Sequence, residues 1–174
     1  MANDIFAGLY ADIFVSSSID NQNINGPDFT RISELSVWPE TGIERASIEV
    51  PNFSSPVSRK LVGRASIPDV AFSVSYIPGE TTHESLRAMA ESGSRGQFKI
   101  VYWTDETRTV GMAKVFNGFI TSSGFTGGSD SAVTLNFTLT VDKQVVTGVI
   151  DNTSSGGGGS GGNTSGSSGT GSNP

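Results

Sequence analysis

Ten residues near the C-terminal end, Val133-Thr-Leu-Asn-Phe-Thr-Leu-Thr-Val-Asp142, alternate strictly, with every odd position apolar and every even one polar. Side chains of an extended strand point to opposite faces in turn, so this stretch puts one face in a core and the other in water or at a polar contact. A helix would scatter the same apolar residues around its circumference. Phe72, Val74 and Tyr76 alternate with Ser73 and Ser75 until Pro78-Gly79 stops the run, and Phe98, Ile100 and Tyr102 repeat the pattern ahead of an acidic turn at Asp105-Glu106. A further strand is expected from about Thr107 into the 120s. Tyr10 to Ser16 and Arg31 to Trp38 read as strands on either side of a turn-rich segment, 20–28.

One segment is helical in pattern. Thr81-Thr82-His83-Glu84 fits a Ser/Thr-x-x-Glu capping box, Leu86, Met89 and Ala90 form a narrow apolar stripe, and Gly93 is placed to stop the helix. The sequence therefore predicts a mainly β, α+β domain: an antiparallel sandwich with one short helix over about 81–92. Asn117-Gly118 allows two readings, a hairpin turn or a long strand carrying a glycine bulge.

The domain is expected to span residues 1–152. The last 22 residues, 153–174, hold nine Gly and seven Ser and no charge, the composition of a flexible coil. Residues 39–68 are different again. They contain Pro39, Pro51, Pro56 and Pro68 with Arg45, Arg59, Lys60 and Arg64, and only Ala46 to Val50 reads as strand. So long an irregular stretch in a compact domain is either disordered or used for contact. We expect a contact arm carrying Glu44, Arg45, Glu49, Asn52, Phe53, Arg59, Lys60 and Arg64, whose bases could meet acids such as Asp20, Asp28 or Asp69 of a neighbouring copy.

Charge and motifs exclude whole classes of chemistry. There is no Cys, and 11 Lys+Arg against 17 Asp+Glu give a net charge of −6. A general electrostatic footprint for nucleic acid needs the opposite balance. The first basic residue is Arg31, and Asp4 and Asp12 interrupt the N-terminal apolar stretch, so neither a secretory signal nor a membrane span is expected. No nucleophile elbow and no phosphate-binding glycine loop is present. His83, the only histidine, is expected to be an exposed first-turn residue. Asn21-x-Asn23-x-Asn25-Gly26 resembles half a calcium loop but lacks the Asp at its first position and places Ile32 where a bidentate Glu is needed, so it reads as an Asn-rich turn. Asp105 and Glu106 are adjacent and diverge, which suits a hairpin tip and not an acid/base pair. No enzyme, catalytic residue, metal site or cofactor is expected.

Four stretches together resemble the major tail-tube protein of long-tailed, non-contractile, lambda-like bacteriophages: Arg31 to Trp38, Ala46 to Phe53, Phe72 to Glu80 with its following helix, and Lys114 to Thr121 followed by the Val133 to Val141 strand. The resemblance covers about residues 5 to 150. It implies that Asn117-Gly118 lies within one continuous strand. It also implies a homohexameric ring whose sheets join into a barrel, with rings stacked into a virion tube through which double-stranded DNA passes without specific binding. Expected partners are further copies of the chain, a tape-measure protein and tail-terminator or tip proteins, with synthesis in the host cytoplasm and no membrane. Where lambda-type relatives can carry an immunoglobulin-like domain, this sequence has its Gly/Ser-rich tail. The expected lumen-facing residues are the polar side of the last strand (Thr134, Asn136, Thr138, Thr140, Asp142) with Glu34 and Ser36, although the assignment inverts on any strand buried on both faces. The alternative is a β-sandwich module that binds carbohydrate or a cell surface. Grouped loop aromatics would favour it, whereas here the aromatics fall on alternating strand faces.

Overall fold

The computed structural model describes residues 10–19, 21–51, 54 and 57–152. Its elements, in chain order, are β1 (Tyr10–Ser16), β2 (Thr30–Arg31), β3 (Glu44–Val50), β4 (Arg59–Ser66), β5 (Val70–Ser75), α1 (Thr81–Ser92), β6 (Gly96–Trp103), β7 (Val110–Gly128) and β8 (Ser131–Asp151). Six strands form one antiparallel sheet in the order β2-β1-β6-β7-β8-β5, and β3 and β4 form a separate hairpin. The mainly β, one-helix architecture expected from the sequence is present.

The alternation in β8 does what its period requires. Leu135, Phe137 and Leu139 are fully buried while Thr134, Asn136, Thr138 and Thr140 are half-exposed. Burying each of these apolar side chains stabilises the fold by about 1.5–3 kcal/mol. Phe72 of β5 stacks tilted on Phe137 at 5.3 Å, and Ile13, Phe98, Ile100, Phe116 and Leu86 of the helix join the same core. A smaller cluster of Val101, Trp103, Ala113 and Ile150 lies on the opposite face of β6 and β7, against Tyr10, Phe14 and Ile24. This is why β6 is buried along its whole length.

β7 runs unbroken through Asn117-Gly118, as the tail-tube resemblance implied. The ladder with β8 shifts register there. A side chain at Gly118 would run into the Thr140 carbonyl and the Leu139 side chain, so only glycine lets the two backbones approach so closely.

The expected strand over Arg31 to Trp38 is not formed as one element. Ile32 donates its amide to the Ile13 carbonyl at 2.8 Å, extending the β1 edge of the sheet. Two residues on, Ser75 donates to Glu34 O and Ser36 to Ser73 O, both at 2.8 Å, so Leu35 pairs with Val74 at the β5 edge. The chain switches edges between them, and Glu34 takes a left-handed backbone (φ 55°) to make the corner. That conformation costs roughly 1–2 kcal/mol. In return one short segment ties the two edges together and rolls the sheet around its core.

His83 explains why the corner holds. It is fully buried, contrary to the exposed position expected for it. Its Nε2–H donates to the Ser33 carbonyl at 3.1 Å, and its Nδ1 accepts the Ile77 amide at 3.3 Å. The capping box is also absent: Glu80 occupies the cap position with no side-chain cap bond, and Glu84 instead accepts from Tyr76 Oη (2.8 Å) and Arg87 (2.9 Å). The helix limits are nonetheless as expected, with Gly93 left-handed at the C-terminal end.

Candidate assembly interfaces

The arm between Trp38 and Asp69 is an ordered hairpin on both sides of its tip. β4, invisible in the sequence pattern, pairs with β3 from Glu44↔Ser66 to Val50↔Arg59, with a bulge between Arg45 and Ser47. Arg59-Lys-Leu-Val-Gly-Arg-Ala-Ser66 shows no alternation because neither face of the hairpin is covered, so nothing selects a period of two. Ile48, Leu61 and Val62 are 52, 54 and 75 % exposed. Glu44, Arg45, Glu49, Arg59, Lys60 and Arg64 are all exposed, and none forms an ion pair among the described residues. Between Trp38 and Asp69 the arm therefore carries four cations against three carboxylates, Glu40, Glu44 and Glu49, on an otherwise acidic chain. Asn52 and Phe53, expected on the arm, and the acid Asp20 lie outside the described residues, as does the 153–174 tail. Asp28 and Asp69 are exposed.

The residues expected to face a lumen share one sheet face, with one exception. Register places Ser73 opposite Asn136, Ala71 opposite Thr138 and Ser75 opposite Thr134, and the edge pairing puts Glu34 and Ser36 beside Ser75 and Ser73. Side chains on this face bond to one another: Ser73 to Asn136 (2.5 Å), Asn136 to Thr126 (2.7 Å), Ser122 to Thr138 (2.9 Å), and Thr121 with Thr140 (3.2 Å). The strip is a ladder of hydroxyls and amides, and in the sequence from Val115 to Val141 only Asp130 is charged. Asp142 is the exception. It falls at the register shift, without a ladder partner in β7, and pairs with Arg95 at 2.8 Å.

Backbone groups are also left open. β6 pairs with β7 only as far as Gly118, so residues 119–128 of β7 have β8 on one side and no strand on the other among the described residues. A long unpaired edge is a template for another chain unless something covers it.

The remaining chemistry is structural. Asp105 accepts hydrogen bonds from the hydroxyls of Thr107 and Thr109 and from the Thr109 and Val110 amides, which holds its carboxyl down at about 2. Asn21 and Asn23 each accept the amide two residues ahead at 3.0 Å, the Asn-rich turn that the sequence suggests. No group of acidic or histidine side chains suited to a metal occurs among the described residues.

Solved structures share this architecture. The SPP1 tail tube superposes with a TM-score of 0.60 at 16 % identity, covering 85 % of this chain and 82 % of that one. This chain has the tail-tube fold. A component of the sheath–tube complex of a PVC extracellular contractile injection system matches at 0.60 and 13 % identity, over 86 % and 95 % of the two chains. A component of the gene transfer agent tail, resolved with C6 symmetry, matches at 0.56 and 15 % identity, over 79 % and 92 %. No protein-family model and no curated protein sequence matches the chain. The fold is thus common to the SPP1 tail tube, to a component of a contractile sheath–tube complex and to a component of the gene transfer agent tail.

Proposed function

We propose that the protein is a structural subunit of a virion tail tube: six copies close into a ring, rings stack, and double-stranded DNA passes down the bore. The observation that carries this reading is the hairpin arm, whose apolar side chains and unpaired cations stand in solvent on a single copy. A partner that covers Ile48, Leu61 and Val62 removes apolar surface from water, and acids on an adjacent copy can meet Arg59 and Lys60. The unpaired edge of β7 gives a second contact, through which neighbouring sheets continue around the ring without free edges.

The hydroxyl strip suits the wall of the bore. Neutral hydroxyls and amides, with the Glu34 carboxylate beside them, hold phosphate weakly, whereas lysines or arginines repeated around each ring would bind DNA tightly and in a salt-dependent way. In this reading the chain acts as scaffold and not as enzyme. Its partners are other copies of itself, a tape-measure protein within the bore during assembly, and terminator or tip proteins at the ends.

The direct test is charge reversal on the arm. Arg59→Glu together with Lys60→Glu, both exposed, should leave the melting temperature unchanged and abolish rings and tubes in negative stain. Unaltered tube assembly by the double variant would remove the arm from the account, and a strictly monomeric wild-type protein at high concentration would remove the tube itself.

A further inference from the structure

A second polar site lies away from both the arm and the hydroxyl strip. A cleft of about 440 Å³ opens beside the start of β2 and the β6–β7 turn, lined by Asp12, Phe14, Arg31, Lys99, Trp103 and Arg108 among others. Asp12 is its single lining carboxylate, and it is buried. It accepts from Arg31 Nε at 2.8 Å and Trp103 Nε1 at 2.8 Å, and Arg108 Nε lies 3.5 Å away. Each guanidinium meets Asp12 through Nε, and neither donates a hydrogen bond from a terminal nitrogen among the described residues. Arg108 is held there by a left-handed backbone (φ 55°).

The third cation is Lys99, 7 % exposed. Its ammonium donates to the Ile24 carbonyl at 3.1 Å and sits over the rings of Phe14 (4.4 Å) and Phe29 (4.6 Å), with no carboxylate in ion-pair reach. Three cations against one carboxylate leave the cleft net positive on a chain of net charge −6. A buried ammonium screened by aromatic rings adds to the local positive potential, and two arginine forks with open terminal nitrogens suit a planar, bidentate acceptor.

We propose that this cleft receives one carboxylate, clamped by Arg31 and Arg108, and that in the assembled tube the carboxylate belongs to a second copy of this chain. The second part rests on the tube reading above. Charge complementarity points to the source: Glu40, Glu44, Glu49 and Glu106 are exposed and have no ion-pair partner among the described residues. The contact would join an acidic surface of one copy to a cationic recess of the next, a pairing that fixes register between subunits.

Two measurements separate the parts. Sodium acetate is titrated into unassembled protein at constant ionic strength while the Trp103 indole N–H resonance is followed, because that group shares Asp12 with both arginines. A saturable shift is expected. Arg108→Asn, which keeps a residue tolerant of the left-handed backbone, should weaken it roughly tenfold, and Arg108→Lys should lie between. Assembly of the same variants is then followed by sedimentation, with the expected critical concentration raised roughly tenfold in Arg108→Asn at an unchanged melting temperature. No saturable acetate shift overturns the site. Acetate binding without any assembly defect overturns the second copy as source and leaves a site for a free carboxylate. Failure of the wild-type chain to assemble at all overturns the tube reading and the second-copy source with it, while the acetate titration still decides the cleft.

Discussion

His83 is the buried pin of the corner where the chain crosses from one sheet edge to the other, and its replacement should be costly for a calculable reason. His83→Leu keeps a similar volume and removes both ring nitrogens. The Ser33 carbonyl then loses its donor and the Ile77 amide its acceptor. A buried polar group left without a partner costs about 1–3 kcal/mol. Both hydrogen bonds are part-buried, so water can replace part of what is lost and the expected destabilisation is about 2–4 kcal/mol. For a domain of this size class, 1 kcal/mol moves the melting temperature by about 2–4 °C, giving a drop of about 5–15 °C. Circular dichroism melting measures it. The damage should also be local: the Ser36 and Ser75 amides, which pair the corner segment with β5, should exchange with solvent faster than the amides of β6. An exposed first-turn histidine would change stability by less than about 0.5 kcal/mol. A loss that small, or unchanged exchange at Ser36 and Ser75, would refute the pinning role.

Three further outcomes follow from particular contacts. Gly118→Ala should destabilise by about 1–3 kcal/mol in chemical denaturation, because the added methyl meets the Thr140 backbone and β7 or β8 must shift. Asp105 is held below its ordinary value, to about 2, so its contribution is full above its unfolded value near 4 and is lost as pH falls towards 2. NMR titration of the Asp105 carboxyl, with loss of the Thr109 and Val110 amide shifts over the same window, reads this. Asn136→Lys combined with Thr138→Lys should permit tube formation but make tubes retain double-stranded DNA in a salt-dependent manner, measured by co-sedimentation. Failure to form tubes would instead place that face between layers.

How far the sequence disclosed this fold depended on how many neighbours each residue answers to. β8 and β5 were legible because each has one apolar face toward a single core, and period two is the trace of that condition. The limits of α1 were legible through Gly93 and the preceding Pro78-Gly79, although the cap itself was misread, since Tyr76 and Arg87 compete for Glu84. β4 left no trace because both its faces are uncovered on one copy. The Arg31 to Trp38 segment alternates well enough for a strand, yet its two halves pair with opposite edges of the sheet, and only the tertiary structure requires the turn at Glu34. His83 was misplaced for a similar reason: its partners, Ser33 and Ile77, come from either side of the corner. Gln97 and Lys99 alternate with Phe98 and Ile100 as the solvent side of a strand would, yet both are buried because the chain at Asn21 and Ile24 crosses over them. Gln97 donates to the Asn21 carbonyl at 2.9 Å and Lys99 to that of Ile24. The lumen candidates lie on one sheet face, except Asp142, because a register shift cannot be read from one strand alone.

The central claim is that copies of this chain form a tube whose bore is lined by the hydroxyl face of β8. A helical reconstruction of tubes assembled from the purified full-length chain tests it most directly. The account predicts six copies per ring, the 44–66 hairpin seated on a neighbouring copy, and Thr134, Asn136, Thr138 and Thr140 facing the central channel. Tubes whose channel is lined by another surface, with those four side chains packed against protein, would contradict the account.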